Sequence, residues 1–196
     1  MKRAEAAVLY CEDEIAQSFR EEPELLSGAR LATPQDIADC DDPPLCVTAQ
    51  PRDLATVQYS SGSTGTPKGI LLTHEAMLNN IRAVRDGLSL TDADTSVNWI
   101  PLYHDMGLID AFLLPLLSGF PSVLIPTFDF MREPVLWLWA LHHYRGTLSW
   151  APNFAYTYCA TRVPDRDLEG LDLSSWRIAI NAAEPVLAPT LDAFSE

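Results

Sequence analysis

Alternation of short β-rich apolar runs with longer helical segments, from residue 55 to the end of the chain, predicts a layered α/β fold with largely parallel strands and flanking helices. Two further observations agree. The 196 residues are 47% hydrophobic, enough for a domain that buries most of its surface. Three polar segments, Ser60 to Gly69, Tyr103 to Asp105 and Ala183 to Pro185, directly follow predicted strands, where ligands bind in such sheets.

Taken in order, residues 5–31 read as a strand or short helix followed by polar surface, and Pro34 to Pro51 as a connector rich in proline and aspartate with no clear period. Residues 1–50 are therefore an acidic lead-in and connector. Ala55 to Tyr59 is a strand entering a Ser/Gly/Thr loop, and Ile70 to Leu72 a strand leaving it. Thr73 is placed to cap a helix over 74–86 that carries Met77, Ile81, Val84 and, just beyond, Leu88 on one face. Strand 95–100, helix 107–117 and strand 121–125 follow. Ala111 to Pro126 is the most apolar stretch, but Pro115, Gly119 and Pro121 break it, and it is shorter than the ~20 residues that cross a bilayer. Helix 133–144, strand 147–150, helix 153–162, strand 176–180 and a last helix from Pro189 complete the pattern, with no internal repeat.

The loop Tyr59 to Gly69 concentrates the chemistry. Gly62, Gly65 and Gly69 let backbone N–H groups approach an anion, Ser60, Ser61, Ser63, Thr64 and Thr66 add hydroxyl donors, and Lys68 adds a mobile positive charge. Composition alone fits a flexible linker equally well. The close framing by two strands and a capped helix favours a phosphate cradle. It is not the common nucleotide-triphosphatase loop, because Pro67 precedes the lysine and Gly69 follows it.

The formal charge of −14 disfavours nonspecific binding to nucleic acid or anionic membrane. Glu12 to Glu14, Glu21, Glu22, Glu24, Asp41 and Asp42 read as a solvated acidic face. Cys11, Cys40, Cys46 and Cys159 form no CxxC pair, which suits reduced thiols in the cytoplasm. The first residues lack the apolar core of a signal peptide. His142 and His143 have no evident carboxylate or cysteine partner and read as surface or helix-end residues.

The run Tyr59 to Gly69 resembles the phosphate-loop motif of the adenylate-forming, AMP-binding superfamily, which holds acyl-CoA synthetases, fatty acyl-AMP ligases, luciferases and peptide-synthetase adenylation domains. Trp99 to Ile109 resembles the second core motif as fatty acyl-AMP ligases write it, and Pro152 to Tyr156 resembles their acyl-pocket helix. Leu171 to Arg177, followed by Asn181 to Pro185, completes the series in family order. Ala182 and Ala151 stand where glycine is usual, and the methyl of Ala182 is expected to tighten the adenine pocket or shift its turn. The chain ends before the family's magnesium-binding glutamate, ribose-binding aspartate and C-terminal domain with its catalytic lysine. Residues 51–196 thus resemble the central part of an AMP-binding domain, with the C-terminal domain absent.

The resemblance implies that a fatty carboxylate attacks the α-phosphate of ATP, with magnesium held by a ligand outside this chain, and that the acyl group then passes to a thiol. That thiol belongs to an acyl carrier protein, a polyketide synthase or CoA. It further implies that Lys68 neutralises the β- and γ-phosphates, with Ser63 and Thr64 holding their oxygens within the cradle of Ser60, Ser61, Gly62, Gly65 and Thr66. His104 would border the acyl carboxylate and phosphates, with Asp105 a local cap; Asn181, Ala183, Glu184 and Pro185 would form the adenine wall. Asn153, Phe154 and Tyr158 would meet the acyl substrate, although aromatic residues one turn apart are also plain core. Two alternatives stand beside the acyl-AMP ligase: a fragment of an acyl-CoA synthetase, and a catalytically incompetent nucleotide-binding remnant.

Overall fold

Val8–Tyr10 (β1) and Arg30–Ala32 (β2) pair in parallel, which requires a crossover, and helix Asp13–Glu21 (α1) supplies it. The computed structural model describes residues 6–39, 47–60 and 68–195, and the chain divides into two units, residues 1–48 and 49–196. In the first unit the expected connector opens instead with a helix, Pro34–Ala38 (α2). The Asp36 carboxylate accepts from the Thr33 N–H at 2.8 Å and the Thr33 hydroxyl at 3.0 Å, and Pro34 fits the first turn, where no N–H is needed. Five residues are too few for a period to show. Three-residue strands hide for the same reason, so the lead-in is a β–α–β unit rather than one element followed by polar surface.

The second unit begins with an antiparallel hairpin, Leu54–Ser60 (β3) and Lys68–Thr73 (β4), in which Ser60 pairs with Lys68. The strand leaving the loop is therefore longer than residues 70–72 and already contains Lys68. Thr73 caps helix His74–Gly87 (α3) as its sequence predicts, its hydroxyl accepting from the Ala76 N–H at 3.2 Å. Ile81 is buried, with Val84 and Leu88 packed beside it.

Four parallel strands form the main sheet: Ser96–Asn98 (β5), Ser122–Leu124 (β6), Leu148–Ala151 (β7) and Ile178–Asn181 (β8), in the order β6-β5-β7-β8. β5 and β7 are buried along their whole length, as central strands of a covered parallel sheet are. The Ser and Asn side chains of these strands are paired, whereas the Trp150 indole N–H has no partner among the described residues. Ser149 donates to the Val97 carbonyl and accepts from the Trp137 indole at 2.9 Å; the Asn98 amide donates to Ser96 Oγ at 2.6 Å.

The helix expected over 107–117 is a π-helix, Met106–Leu113, continued by helix Leu114–Ser118 (α4). Pro115 accounts for part of the change. It has no N–H to give to the Ala111 carbonyl, which accepts from the Ser122 hydroxyl at 2.9 Å instead. The helix start also packs close to the preceding loop, where a Cβ on Gly107 would lie 2.1 Å from the Pro101 carbonyl oxygen. A short helix not evident from sequence, Thr127–Arg132 (α5), follows Pro126 and buries Phe130. Helices Val135–His143 (α6), Asn153–Arg162 (α7) and Ala188–Ser195 (α8) surround an aromatic cluster centred on Trp137, with ring centroids 5.9 Å from Phe130, 5.5 Å from Tyr156 and 5.4 Å from Trp176. No described helix is long and apolar enough to cross a membrane.

Asp94 ties the N-terminal ends of β5, β7 and β8 together. It is 3% exposed and accepts from the Thr91 N–H, the Thr147 hydroxyl at 2.6 Å and two nitrogens of Arg177 at 3.0 and 2.8 Å. Burial pushes its carboxyl up, but these bonds together outweigh burial and hold it near 2, below the ordinary 3.8.

Gly107→Ala is expected to destabilise the protein by about 3 kcal/mol, read as a lower denaturant midpoint, since the added methyl meets backbone rather than a movable side chain. A folded carboxyl below its unfolded value stabilises above the unfolded value, so Asp94 should contribute about 2 kcal/mol at neutral pH that is lost as pH falls from about 4 towards 2. Unfolding free energies of wild type and Asp94→Asn should accordingly converge over that interval; a constant gap would show that the ion pair does not titrate as described.

Candidate active site

Beyond the C-terminal ends of β5, β7 and β8 the chain runs into three segments that face one crevice: residues 101–105, Pro152 with Phe154, and Ala182 to Glu184. β6 lies on one side of β5 and β7 on the other, so the connection from β5 to β6 runs one way and the next crosses back to β7, which makes the β5–β7 boundary the switch point of the sheet. Asn98 bridges that boundary. The β5–β7 ladder contains the single pair Ser96 and Leu148, and the Trp150 N–H is taken up by the Asn98 side-chain carbonyl at 2.8 Å.

Two cavities open there. The larger, about 630 Å³, lies among α3, the π-helix and the ends of β7 and β8, with Asn80, Val84, Ile109, Asp110 and Trp150 on its walls. The smaller, about 380 Å³, is more aromatic and includes Trp99, Thr127, Met131, Phe154 and Glu184. His104, Met106 and Ala183 line both, and so form the ridge between them.

His104 is 44% exposed, with Nδ1 2.8 Å from Asp105 Oδ1. The same carboxylate oxygen accepts from the Met106 N–H at 2.8 Å, so Asp105 caps the start of the π-helix. The Met106 nitrogen also lies 3.2 Å from His104 Nδ1, but the carboxylate is the stronger acceptor for that N–H. His104 Nδ1 is thereby held against the start of the π-helix, with its ring on the ridge between the two cavities.

On the opposite wall, the Ala182 N–H donates to the Ala151 carbonyl at 3.1 Å, extending the β7–β8 pairing by one residue. The turn that follows falls on Ala183, at φ 70°, in the left-handed region that costs a residue with a Cβ about 1–2 kcal/mol. Ala182, where the family usually has glycine, sits on the wall of the larger cavity with its methyl packed against the core. Glu184 Oε1 accepts from the Phe154 N–H at 2.5 Å, so the end of β8 caps the first turn of α7.

The site residues expected from sequence separate into three groups. His104, Phe154, Ala183 and Glu184 meet on the smaller cavity. Asn153 is 6% exposed and braces the structure behind it: its carbonyl accepts from Asn181 Nδ2 and the Leu187 N–H, and its amide donates to Thr190, all at 3.1 Å. Tyr158 lines neither cavity; its hydroxyl donates to the Met131 carbonyl at 2.8 Å and its ring meets Phe130 edge-on. Pro185 is likewise absent from both walls. Lys68 is exposed at the head of β4, opposite Ser60 in register. Ser61, Gly62, Ser63, Thr64, Gly65 and Thr66 lie outside the described residues.

Asp110, Asn80 and Trp150 were not singled out by sequence reasoning. For Asp110 a signal was present: a carboxylate within an otherwise apolar segment, Met106 to Leu117. Burial, and then the negative charge of Asp105, raise its carboxyl to about 6. His142, expected at a helix end, accepts from the Asp172 N–H at 2.9 Å and helps to hold the segment that carries Trp176 and Arg177.

Comparison with known proteins agrees with this geometry. The sequence matches the AMP-binding enzyme family over residues 2–196. It is 40% identical over 147 residues to the medium-chain-fatty-acid–[acyl-carrier-protein] ligase TtuA of Teredinibacter turnerae, covering 75% of this chain and 23% of that protein. It is 41% identical over 141 residues to the medium-chain-fatty-acid–[acyl-carrier-protein] ligase JamA of Moorena producens, covering 72% and 24%. A solved structure from work on fatty acyl-adenylate ligases from E. coli and L. pneumophila superposes with a TM-score of 0.90 at 34% identity, covering 96% of this chain and 35% of that one. The L. pneumophila fatty acyl-adenylate ligase in complex with acyl adenylate and pyrophosphate superposes with a TM-score of 0.85 at 32% identity, covering 96% and 33%. This chain therefore spans about a quarter of the length of these two relatives and about a third of the two structures. The sheet with its switch-point crevice, the motif order and the match over nearly every residue agree on one conclusion: the chain belongs to the AMP-binding enzyme family.

Proposed function

We propose that this chain is the central part of an adenylation domain that joins a fatty acid to AMP and passes the acyl group to the thiol of an acyl carrier protein, free or within a polyketide synthase. The observation that carries the reading is the ridge of His104, Met106 and Ala183, which places one polar side chain between two cavities at the switch point of the sheet. A carboxylate held at His104 can direct its chain into the larger cavity and present its oxygen towards the nucleotide side. The acyl contacts then fall to Val84, Met106, Ile109 and Trp150 rather than to Tyr158.

The carboxylate oxygen attacks the α-phosphorus of ATP, the bond from that phosphorus to the bridging oxygen breaks, and pyrophosphate leaves with the electron pair. No base is needed, because the nucleophile is already an anion. Positioning and charge neutralisation carry the step. Lys68 and the hydroxyls and N–H groups of the 60–66 loop hold the phosphates, and Ala183 and Glu184 form the floor under the adenine. His104, held at Nδ1 beside Asp105, turns its ring towards the substrate carboxylate.

Among the described residues no group of three His, Cys, Asp or Glu is placed to hold a metal, and no step is routed through magnesium. The names of TtuA and JamA, both acyl-carrier-protein ligases, support a carrier thiol over CoA. The free thiols of Cys11 and Cys159 suit a reducing cytoplasm.

In the intact protein, ATP, decanoate and hydroxylamine should yield acyl-hydroxamate, and Lys68→Ala should lower the rate of pyrophosphate exchange by about 100-fold. Exchange unaffected by Lys68→Ala would remove that residue from the phosphate site; nucleotide binding without any hydroxamate would favour the incompetent remnant.

A further inference from the structure

The larger cavity is not a plain hydrocarbon slot. Val84, Met106, Ile109 and Trp150 give it apolar walls, yet Asp110 lies on the same helix as Met106 and Ile109 and lines the same space. Among the described residues nothing donates a hydrogen bond to the Asp110 carboxylate, and no lysine or arginine lines the cavity. Asp105, the other carboxylate on the wall, already accepts from the Met106 N–H and lies 2.8 Å from His104 Nδ1. An unsubstituted alkyl chain filling this space would strip water from Asp110 and return no hydrogen bond, which is the more expensive half of the hydrogen-bond balance. Asn80 lines the cavity too, and its amide can donate to a group that itself donates to Asp110. A hydroxyl does both.

We propose that Asp110 is a specificity-determining residue, and that the larger cavity takes a carboxylic acid bearing a hydroxyl a few carbons from its carboxylate in preference to the unsubstituted fatty acid. The inference rests on the adenylation reading above for the placement of the substrate carboxylate at His104. Asp110 stands four residues beyond Met106, about one helical turn or ~5 Å along the wall, which puts the hydroxyl near the carboxylate rather than at the end of the chain. The raised carboxyl of Asp110 agrees with a group that lacks a donor.

The test compares decanoate with 2-, 3- and 5-hydroxydecanoate in the intact protein, by pyrophosphate exchange and by calorimetric binding. At least one hydroxydecanoate is expected to exceed decanoate about tenfold in kcat/KM and in affinity. Asp110→Leu should reverse that order by favouring decanoate, and Asp110→Asn, which keeps the size and a polar head, should lie between. Decanoate equal to or better than all three hydroxy acids in the wild type, or an unchanged ratio in Asp110→Leu, would overturn the proposal. Absence of exchange with every acid would instead defeat the adenylation reading, and calorimetry on the same four acids would still decide the role of Asp110.

Discussion

The buried side chain of Asn98 joins the two strands that border this site. Where β5 and β7 part after a single ladder pair, its carbonyl takes the Trp150 N–H and its amide donates to Ser96, all without exposure to water. Two central strands of a parallel sheet would ordinarily close on each other through backbone bonds. A side-chain amide in that place satisfies the same N–H, beside the crevice at the switch point of the sheet. A buried polar group of this kind is stabilising only while every partner is met.

Around this gap the architecture is stiff on the side that matters. Trp137 hydrogen-bonds Ser149 of β7 and meets the rings of Phe130, Tyr156 and Trp176, so α5, α6, α7 and the approach to β8 share one aromatic centre. At the far end of the strands Asp94 fixes the starts of β5, β7 and β8 through Thr147 and Arg177. The three segments that face the crevice are therefore carried by strands pinned at their other ends. Glu184 then locks the third segment to α7 through the Phe154 N–H.

What was legible in the sequence was what repeats locally. Helix α7 over 153–162 and the cap at Thr73 follow from period and end chemistry, and His104 could be placed at the crevice because it closely follows a strand. What was not legible depends on partners far away in the chain. Asn98 and Ser149 look like surface residues until the strands that bury them are assembled, and Asp94 finds Arg177 83 residues later. The close approach of the π-helix start to the Pro101 carbonyl, which leaves no room for a Cβ at Gly107, has no periodic trace either. Asn153 was expected at the substrate, and its neighbours in sequence gave no sign that its amide would brace Asn181, Leu187 and Thr190 instead. Residues 61–67, expected to form a phosphate cradle, lie outside the described residues, and of that expectation the structure describes only the backbone pairing of Ser60 with Lys68.

The shared ridge also bears on how such a site can diversify. Any change at Met106 or Ala183 alters both cavities at once, so a mutation that improves the fit of one ligand carries a correlated effect on the other. Asp110 and Phe154 each border a single cavity. Those two positions offer uncoupled routes for selection: one chamber can be retuned over successive generations while the other, and the ridge where they meet, stays as it was.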